Sequence, residues 1–168
     1  SLAGASWQFF TTVVVLYWWA NKRLRLPLSE LGISTKNLLP TTILGCLLYS
    51  LALITFISCS NDPFIAQHGL RHANTDDAMI LLLSMSMIAA GTDLTTRGFI
   101  LLGLARYSPL IFAIIVQNAL WYLGHLSEID QLSGCLSLWG AIGLTLTLGV
   151  LGDIVALKTK NVLGLAIA

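Results

Sequence analysis

Three residues inside the apolar part of the chain carry side chains that could do chemistry: Asp93, Arg97 and His125. Asp93 and Arg97 lie four residues apart in the short polar stretch 92–98, so on a helix they share a face and can neutralise each other. His125 ends the next apolar run and could serve as a general acid or base. A charge at bilayer depth is costly unless it meets a partner or a cavity, so these residues form the candidate site.

The composition indicates a membrane protein. The chain has 168 residues, of which 56% are hydrophobic and 10% are charged, and its mean hydropathy is +0.81. A soluble domain is charged at about 25% of its residues. Sparse charge between long apolar runs predicts an all-α, polytopic bundle of transmembrane helices. The net charge of +1 argues against a nucleic-acid partner, because phosphate binding needs clustered basic residues.

The apolar runs predict one transmembrane domain over residues 1–168, with about five complete spans and the start of a sixth. The predicted ranges are 2–20, 40–59, 78–104, 108–125, 132–157 and, for the truncated sixth, 161–168. The third run is long for a hydrocarbon layer of about 30 Å, which predicts a tilt, or a kink at Gly91. His125 then lies towards the opposite end of its span from Asp93 and Arg97, so a direct contact would need a broken or re-entrant helix.

The loop charges predict the orientation. The basic residues follow the odd-numbered spans, and the other loops hold only Arg71 and an excess of acids; the first set consists of Lys22, Arg23, Arg25, Lys36, Arg106, Lys158 and Lys160. The positive-inside rule therefore places loops 21–38 and 158–160 on the cytoplasmic side of a bacterial inner membrane, or on the stromal or matrix side of an organellar or thylakoid membrane.

The fifth predicted span is rich in small residues, which usually mark close helix contact in membranes. One predicted packing face holds Gly140, Gly143 and Thr147, and Gly149 and Gly152 form a second. Asp153 lies near the end of the span, beside Lys158 in sequence, and is expected to reach the membrane interface.

The sequence gives little indication of a metal-binding site. Cys46, Cys59 and Cys135 lack the paired spacings of a zinc site and are expected to be small, buried apolar residues. The polar loop 60–77 has two histidines and three aspartates, but His68 and His72 share a face only if the loop is helical. A solvated loop is favoured, and no metal is predicted.

Two segments carry a resemblance to a known family. Residues 92–106 and 120–126 resemble the CPBP family, the membrane-embedded CAAX prenyl proteases and bacteriocin-processing (Abi) proteins. The family's first motif is a pair of glutamates followed, after three residues, by arginine; here Thr92 and Asp93 stand at the pair and Arg97 at the arginine. Its second motif is an aromatic residue four positions before a histidine, which Trp121 and His125 match.

The resemblance implies a helical bundle in which glutamates and histidines activate a water for attack on a peptide carbonyl. Thr92 cannot act as a general base, and Asp93 is one methylene shorter than glutamate. A displacement of about 1 Å can cost around 10²-fold in rate. Arg97 also favours the charged, unreactive state of Asp93. The catalytic positions Asp93, Arg97 and His125 are therefore expected to be degenerate.

Three hypotheses remain. The first is a family member without protease activity that acts as a binding or structural subunit of a larger membrane complex, among lipids and other membrane subunits. The second is an active CAAX-type endopeptidase that uses Asp93 and His125. The third is a small transporter that uses Asp93, Arg97 and Asp153. No cofactor is predicted, although in the first hypothesis His125 or Asn118 could ligate a pigment or a haem.

Overall fold

The computed structural model describes residues 2–59 and 75–168, and this part of the chain is helical with no strand, which confirms the all-α prediction. The amino-terminal helical stretch consists of α1 (Leu2–Phe9), a π-helical segment (Phe10–Val15) and α2 (Leu16–Arg23). A short 3₁₀ helix (Leu28–Leu31) follows and ends at Gly32, whose φ of +83° is a conformation that suits glycine.

The remaining helices surround the candidate site. They are α3 (Leu38–Cys59), α4 (Thr75–Asp93), a second π-helical segment that continues α4 (Leu94–Leu102), α5 (Leu110–Gly124), α6 (Leu126–Thr159) and α7 (Leu163–Ile167). The backbone of α6 is broken at Ser137, where φ is 63° and ψ is 160°. This break separates a short amino-terminal part of α6 from the long apolar part that carries Asp153.

Two helices of the described chain are long and apolar enough to cross a membrane: α3, over residues Leu38–Thr55, and α6. Helix α5 is apolar but shorter. Only 11% of the residues in the α3 window are buried, whereas the core helix of a soluble protein would be mostly buried. These helices indicate a membrane protein, while the count of five spans plus a sixth is not confirmed.

The outer face of α3 explains this low burial. Leu39, Leu47 and Ile54 are 71%, 65% and 62% exposed, and Ile43 and Leu51 lie between them on the same stripe. Residues at intervals of three to four share one face of a helix. A continuous apolar stripe that no other part of the described chain covers is suited to contact with lipid.

The main core lies where the π-helical segment 94–102 meets α2, the 3₁₀ helix and the end of α6. Leu31, Leu101 and Val162 are among its fully buried residues. The hydroxyl of Tyr17 donates to the carbonyl oxygens of Leu94 at 2.7 Å and Leu31 at 3.3 Å. Gly98 packs directly against this hydroxyl, and a Cβ atom there would overlap it. The glycine after Arg97 therefore has a packing role.

The first of the two predicted packing faces on α6 is wrong. Among the described residues, a Cβ atom at Gly143 would meet nothing within 4 Å, and one at Gly140 would meet only Leu136 and Ser137 of the same helix. Thr147 is exposed. Gly149 and Gly152 do lie in close contacts, which belong to the candidate site.

The cysteines also differ from expectation. Cys46 has a free, exposed thiol, and Cys135 is exposed and disulfide-bonded. Neither is a buried core residue. The alternative of a metal site in loop 60–77 lies outside the described side chains, and the described residues contain no group of three potential His, Cys, Asp or Glu ligands.

Candidate functional site

Arg97 is the centre of a buried polar cluster. It lies in the π-helical segment 94–102, and its side chain has no exposed surface. Its Nη1 donates to Oδ1 of Asp93, the partner expected from their spacing. The ion pair is buried at both ends, because the Asp93 side chain is only 5% exposed. A buried pair of this kind depends on additional polar contacts to offset the loss of hydration.

Asp153 supplies a second carboxylate to the same guanidinium. Its Oδ1 lies 3.4 Å from Nε of Arg97, and its side chain is 1% exposed. The expectation that Asp153 reaches the membrane interface beside Lys158 is therefore wrong. Distance from the helix end gives the depth of a residue but not the direction of its side chain, and this face of α6 is turned towards Arg97.

Two glycines allow α6 to approach the cluster. A Cβ atom at Gly152 would lie 2.5 Å from Nη2 and 2.6 Å from Cζ of Arg97. At Gly149 it would lie 2.5 Å from Oδ1 of Asn118 and 3.0 Å from Cδ1 of Trp121. The guanidinium and these two side chains therefore occupy the space that side chains on α6 would otherwise fill.

Tyr49 and Asn118 attach two more helices to the charged groups. The Tyr49 hydroxyl donates to Oδ2 of Asp93 and accepts from Nη1 of Arg97 at 3.3 Å. The Asn118 amide donates to Oδ2 of Asp153 at 2.6 Å and to the carbonyl oxygen of Ile114 at 3.0 Å. Side chains from α3, α4 with its π-helical continuation, α5 and α6 thus meet at one point.

Trp121 contacts both the cluster and His125. The Cζ atom of Arg97 is 4.2 Å from the centroid of the Trp121 ring, which is a cation–π contact. His125 also stacks on this ring, at a centroid distance of 4.0 Å. Nδ1 of His125 lies 2.8 Å from the carbonyl oxygen of Trp121. A carbonyl can only accept, so Nδ1 carries a proton and the neutral ring keeps a lone pair on Nε2.

The two residues at the position of the glutamate pair face different places. Asp93 faces Arg97, whereas the hydroxyl of Thr92 donates to the carbonyl oxygen of Ile88 at 2.9 Å. Thr92 lines a cleft of about 160 Å³ between α1 and α4, together with Gln8 and Thr12. These two side chains therefore cannot act together on one water.

Several buried polar atoms of the cluster have no hydrogen-bond partner within the described residues. They include Nη2 of Arg97, Oδ1 of Asn118 and Nε1 of Trp121. Both amide atoms of Gln117, the fully buried residue before Asn118, likewise have no partner among the described residues. With one guanidinium and two carboxylates, the cluster has a formal charge of −1 when all three groups are ionised. The hydroxyl of Thr95, in the cleft beside α1, is also buried and has no partner in the part of the chain that the structure describes.

Only some residues of this site could be recognised from the sequence. The spacing of Asp93 and Arg97, and that of Trp121 and His125, marked four of its members. Tyr49 was missed because a tyrosine in an apolar span carries no signal of its partner. For Asp153, the signal was the presence of Gly149 and Gly152 beside it in sequence. Small residues on a membrane helix indicate close contact with another helix, so this part of α6 could be expected to face the protein interior.

A family model described as type II CAAX prenyl endopeptidase Rce1-like matches residues 74–168, which is more than half of the chain. The chain belongs to this family. The resemblance to the CAAX prenyl proteases is thereby confirmed, and it supports assignment as a membrane protein. No curated protein and no solved structure matches the chain significantly.

The matched region of this Rce1-like family member contains most of the polar cluster. Asp93, Arg97, Asn118, Trp121 and Asp153 all lie within it. Tyr49 lies before it, although its hydroxyl contacts both members of the ion pair.

Proposed function

We propose that this Rce1-like chain lacks protease activity and acts as a structural or binding subunit of a larger membrane complex. The observation that carries the proposal is the set of hydrogen bonds that the Asp93 carboxylate accepts. One of its oxygens accepts from Arg97 and the other accepts from Tyr49. A general base must reach the water that it activates, whereas this carboxylate is buried and both of its oxygens face side chains of the cluster.

The other candidate catalytic groups do not compensate. Thr92 has no titratable group and lies in the cleft beside α1. His125 stacks on the Trp121 ring, and among the described residues it forms no hydrogen bond or ion pair with Asp93. Asp93 and His125 therefore do not form a pair that could hold one water.

The same contacts support a role in holding helices together. The cluster joins α3 through Tyr49, α5 through Asn118 and α6 through Asp153 to the single side chain of Arg97 or its partner carboxylates. In an apolar interior, hydrogen bonds between helices act as specific attachment points. A structural function thus accounts for every charged group of the site.

A cleavage assay tests the loss of activity. Full-length protein in liposomes would be incubated with a prenylated CAAX peptide, with an active member of the family as the positive control. Wild type, Asp93→Asn and His125→Ala are all expected to release no product above the protein-free background. Cleavage by wild type that Asp93→Asn abolishes would contradict the proposal and favour the endopeptidase alternative.

The binding role is supported by the cleft between α1 and α4. Thr12, Thr92 and Thr96 line it, and each donates its hydroxyl to a backbone carbonyl oxygen of its own helical stretch. The buried hydroxyl of Thr95 has no partner in the described residues. Polar residues on a membrane helix favour contact with another helix over contact with lipid. We therefore assign the cleft to a side chain that a transmembrane helix of a partner subunit inserts.

Native electrophoresis tests the assignment of the cleft. Wild type in mild detergent is expected to migrate in a complex well above its own mass, and Thr12→Leu combined with Thr96→Leu is expected to dissociate it. Thr147→Leu, at an exposed threonine of α6, is the control. Wild type that migrates alone, or a complex that all variants retain, would contradict the assignment.

A bound chromophore is a variant of the subunit proposal, because the free Nε2 of His125 could ligate a haem or a pigment. The absorption spectrum of the purified protein decides it. We expect no visible band. A band that His125→Ala removes would show ligation and would overturn the expectation of no cofactor.

The orientation remains as the loop charges predict, with loops 21–38 and 158–160 on the cytoplasmic or stromal side. The disulfide at Cys135 supports this, since it lies near the opposite end of α6 and disulfides persist in oxidising compartments. A single cysteine introduced at Ser34, with Cys46 replaced by serine, should react with an impermeant thiol reagent only after the membrane is opened. Labelling of intact cells or organelles would contradict this orientation.

A further inference from the structure

A second polar site lies where two basic loops meet. A cavity of about 250 Å³ opens there, lined by three lysines, Lys36, Lys158 and Lys160, and by polar residues that include Ser29, Ser34 and Asn37. None of its lining residues belongs to the Arg97 cluster. The lysines are exposed, so a ligand can reach them.

A network of backbone contacts fixes the two loops against each other. Asn161 is fully buried, and its Nδ2 donates to the carbonyl oxygens of Ser34 at 2.7 Å and Lys36 at 2.6 Å. The amide of Val162 donates to the carbonyl oxygen of Gly32 at 2.8 Å. The position of Lys36 relative to Lys158 and Lys160 is therefore built into the fold.

The charge of the cavity is not compensated by the described residues. No carboxylate lines it, and none of its three lysines forms an ion pair in this part of the chain. Glu30, which is close in sequence, pairs with Arg106, and Asp153 pairs with Arg97. Three ammonium groups together with hydroxyl and amide donors are suited to an anion with several oxygens, such as a phosphate ester.

Stabilisation of a helix end does not account for the lysines. Lys158 and Lys160 lie at the carboxyl end of α6, where basic residues favour the helix dipole. However, two of the last carbonyls are already used without a lysine side chain: the Thr159 oxygen accepts from the Asn37 amide at 3.0 Å, and the Ala156 oxygen accepts from the backbone amide of Lys160 at 2.9 Å. Lys36 belongs to a different loop altogether.

The position of the cavity indicates the source of the phosphate. Helix α3 begins at Leu38 and α6 ends at Thr159, and these are the two described helices that can cross a membrane. The cavity thus lies where membrane-spanning helices leave the hydrocarbon and meet the headgroups. Basic pockets between membrane helices are suited to anionic headgroups. We propose that this lysine pocket binds the phosphate of an anionic phospholipid.

Lipid selectivity tests the proposal independently of catalysis. Full-length protein would be reconstituted in vesicles of phosphatidylcholine with a minor fraction of phosphatidylglycerol and then extracted, and the lipid that remains bound would be identified by native mass spectrometry. Wild type is expected to retain phosphatidylglycerol selectively. One basic residue near a membrane surface contributes about 1 kcal/mol, so Lys158→Gln should reduce this selectivity roughly fivefold.

A matched control separates the pocket from general surface charge. Lys36→Gln, Lys158→Gln and Lys160→Gln together should abolish the selectivity. The triple variant Lys22→Gln, Arg23→Gln and Arg25→Gln removes the same charge outside the pocket and should retain it. Equal loss in both triple variants, or no selectivity in wild type, would overturn the proposal. Displacement of the lipid by millimolar inorganic phosphate would overturn the assignment to a headgroup.

Discussion

Arg97 and Arg106 lie nine residues apart and both pair with carboxylates, yet their surroundings differ. Arg97 is fully buried, shares two carboxylates from different helices and rests on an indole ring. Arg106 pairs with Glu30 where the two side chains are 39% and 42% exposed. Water can replace the partner of Arg106 but has no access to Arg97.

The fold depends on the buried ion pairs of Arg97, whereas the exposed ion pair of Arg106 contributes little to stability. Breaking a buried pair leaves an uncompensated charge, which costs far more than the pair itself contributes. An exposed pair gains little because water screens it. Asp93, which stands at the position of the family's glutamate pair in the resemblance, is therefore part of a buried ion pair that the packing depends on.

The largest effect is expected for Arg97→Ala. It leaves Asp93 and Asp153 buried without a cation and should lower the free energy of unfolding by about 3–5 kcal/mol. Reversible unfolding in mixed detergent micelles measures the change. Arg106→Ala is the control, and equal losses for the two variants would refute the contrast between the two arginines.

Asp93→Asn and Asp153→Asn should each be less damaging, because Arg97 keeps one carboxylate in both variants. A hydrogen bond to a charged group contributes about 1.5–3 kcal/mol, which is the loss expected for Asp93→Asn at its bond with Arg97. A similar loss is expected for Asp153→Asn, which neutralises a carboxylate that lies 3.4 Å from Nε of Arg97 and accepts a hydrogen bond from Asn118. The same unfolding assay applies. If Asp153→Asn has the same free energy of unfolding as wild type, the contact between Asp153 and Arg97 does not contribute to stability.

Gly152→Ala should cost about 1–3 kcal/mol, because the new methyl group overlaps a guanidinium whose partners prevent it from moving. Gly143→Ala on the same helix meets none of the described residues and should be neutral or up to about 1 kcal/mol stabilising, through the higher helix propensity of alanine. Thermal unfolding of both variants gives the comparison. Stability changes of the same sign and size in the two variants would contradict the close packing of Gly152 against the cluster.

The smallest effect is expected for Glu30→Gln, which removes the partner of the exposed Arg106. The loss should be at most about 1 kcal/mol and should shrink further as salt is added. Unfolding at low and high ionic strength tests this. A salt-independent loss of several kcal/mol would show that this pair is buried in the protein as it exists in the membrane.

Local spacing made part of this arrangement predictable. The pair of Asp93 and Arg97 follows from the helix repeat alone, and the apolar runs gave the all-α class. The position of Gly152 in a close contact also followed from its size.

The cross-helix contacts could not be predicted in the same way. The direction of Asp153 depends on the rotation of α6 about its axis, and the break at Ser137 interrupts the helix before Asp153. Tyr49 reaches Asp93 from a helix 44 residues away in sequence. The division of Thr92 and Asp93 between two sites depends on how α1 packs against α4. No pattern within a single segment encodes these choices.

A double-mutant cycle between Arg97 and Asp153 tests most directly whether the cluster holds helices together. The variants Arg97→Met, Asp153→Leu and their combination would be unfolded under identical conditions. Contacting residues of one network couple by about 0.5–3 kcal/mol, and we expect a value in the upper half of that range. Additivity within about 0.5 kcal/mol would contradict the account, because α6 would then be held without Arg97.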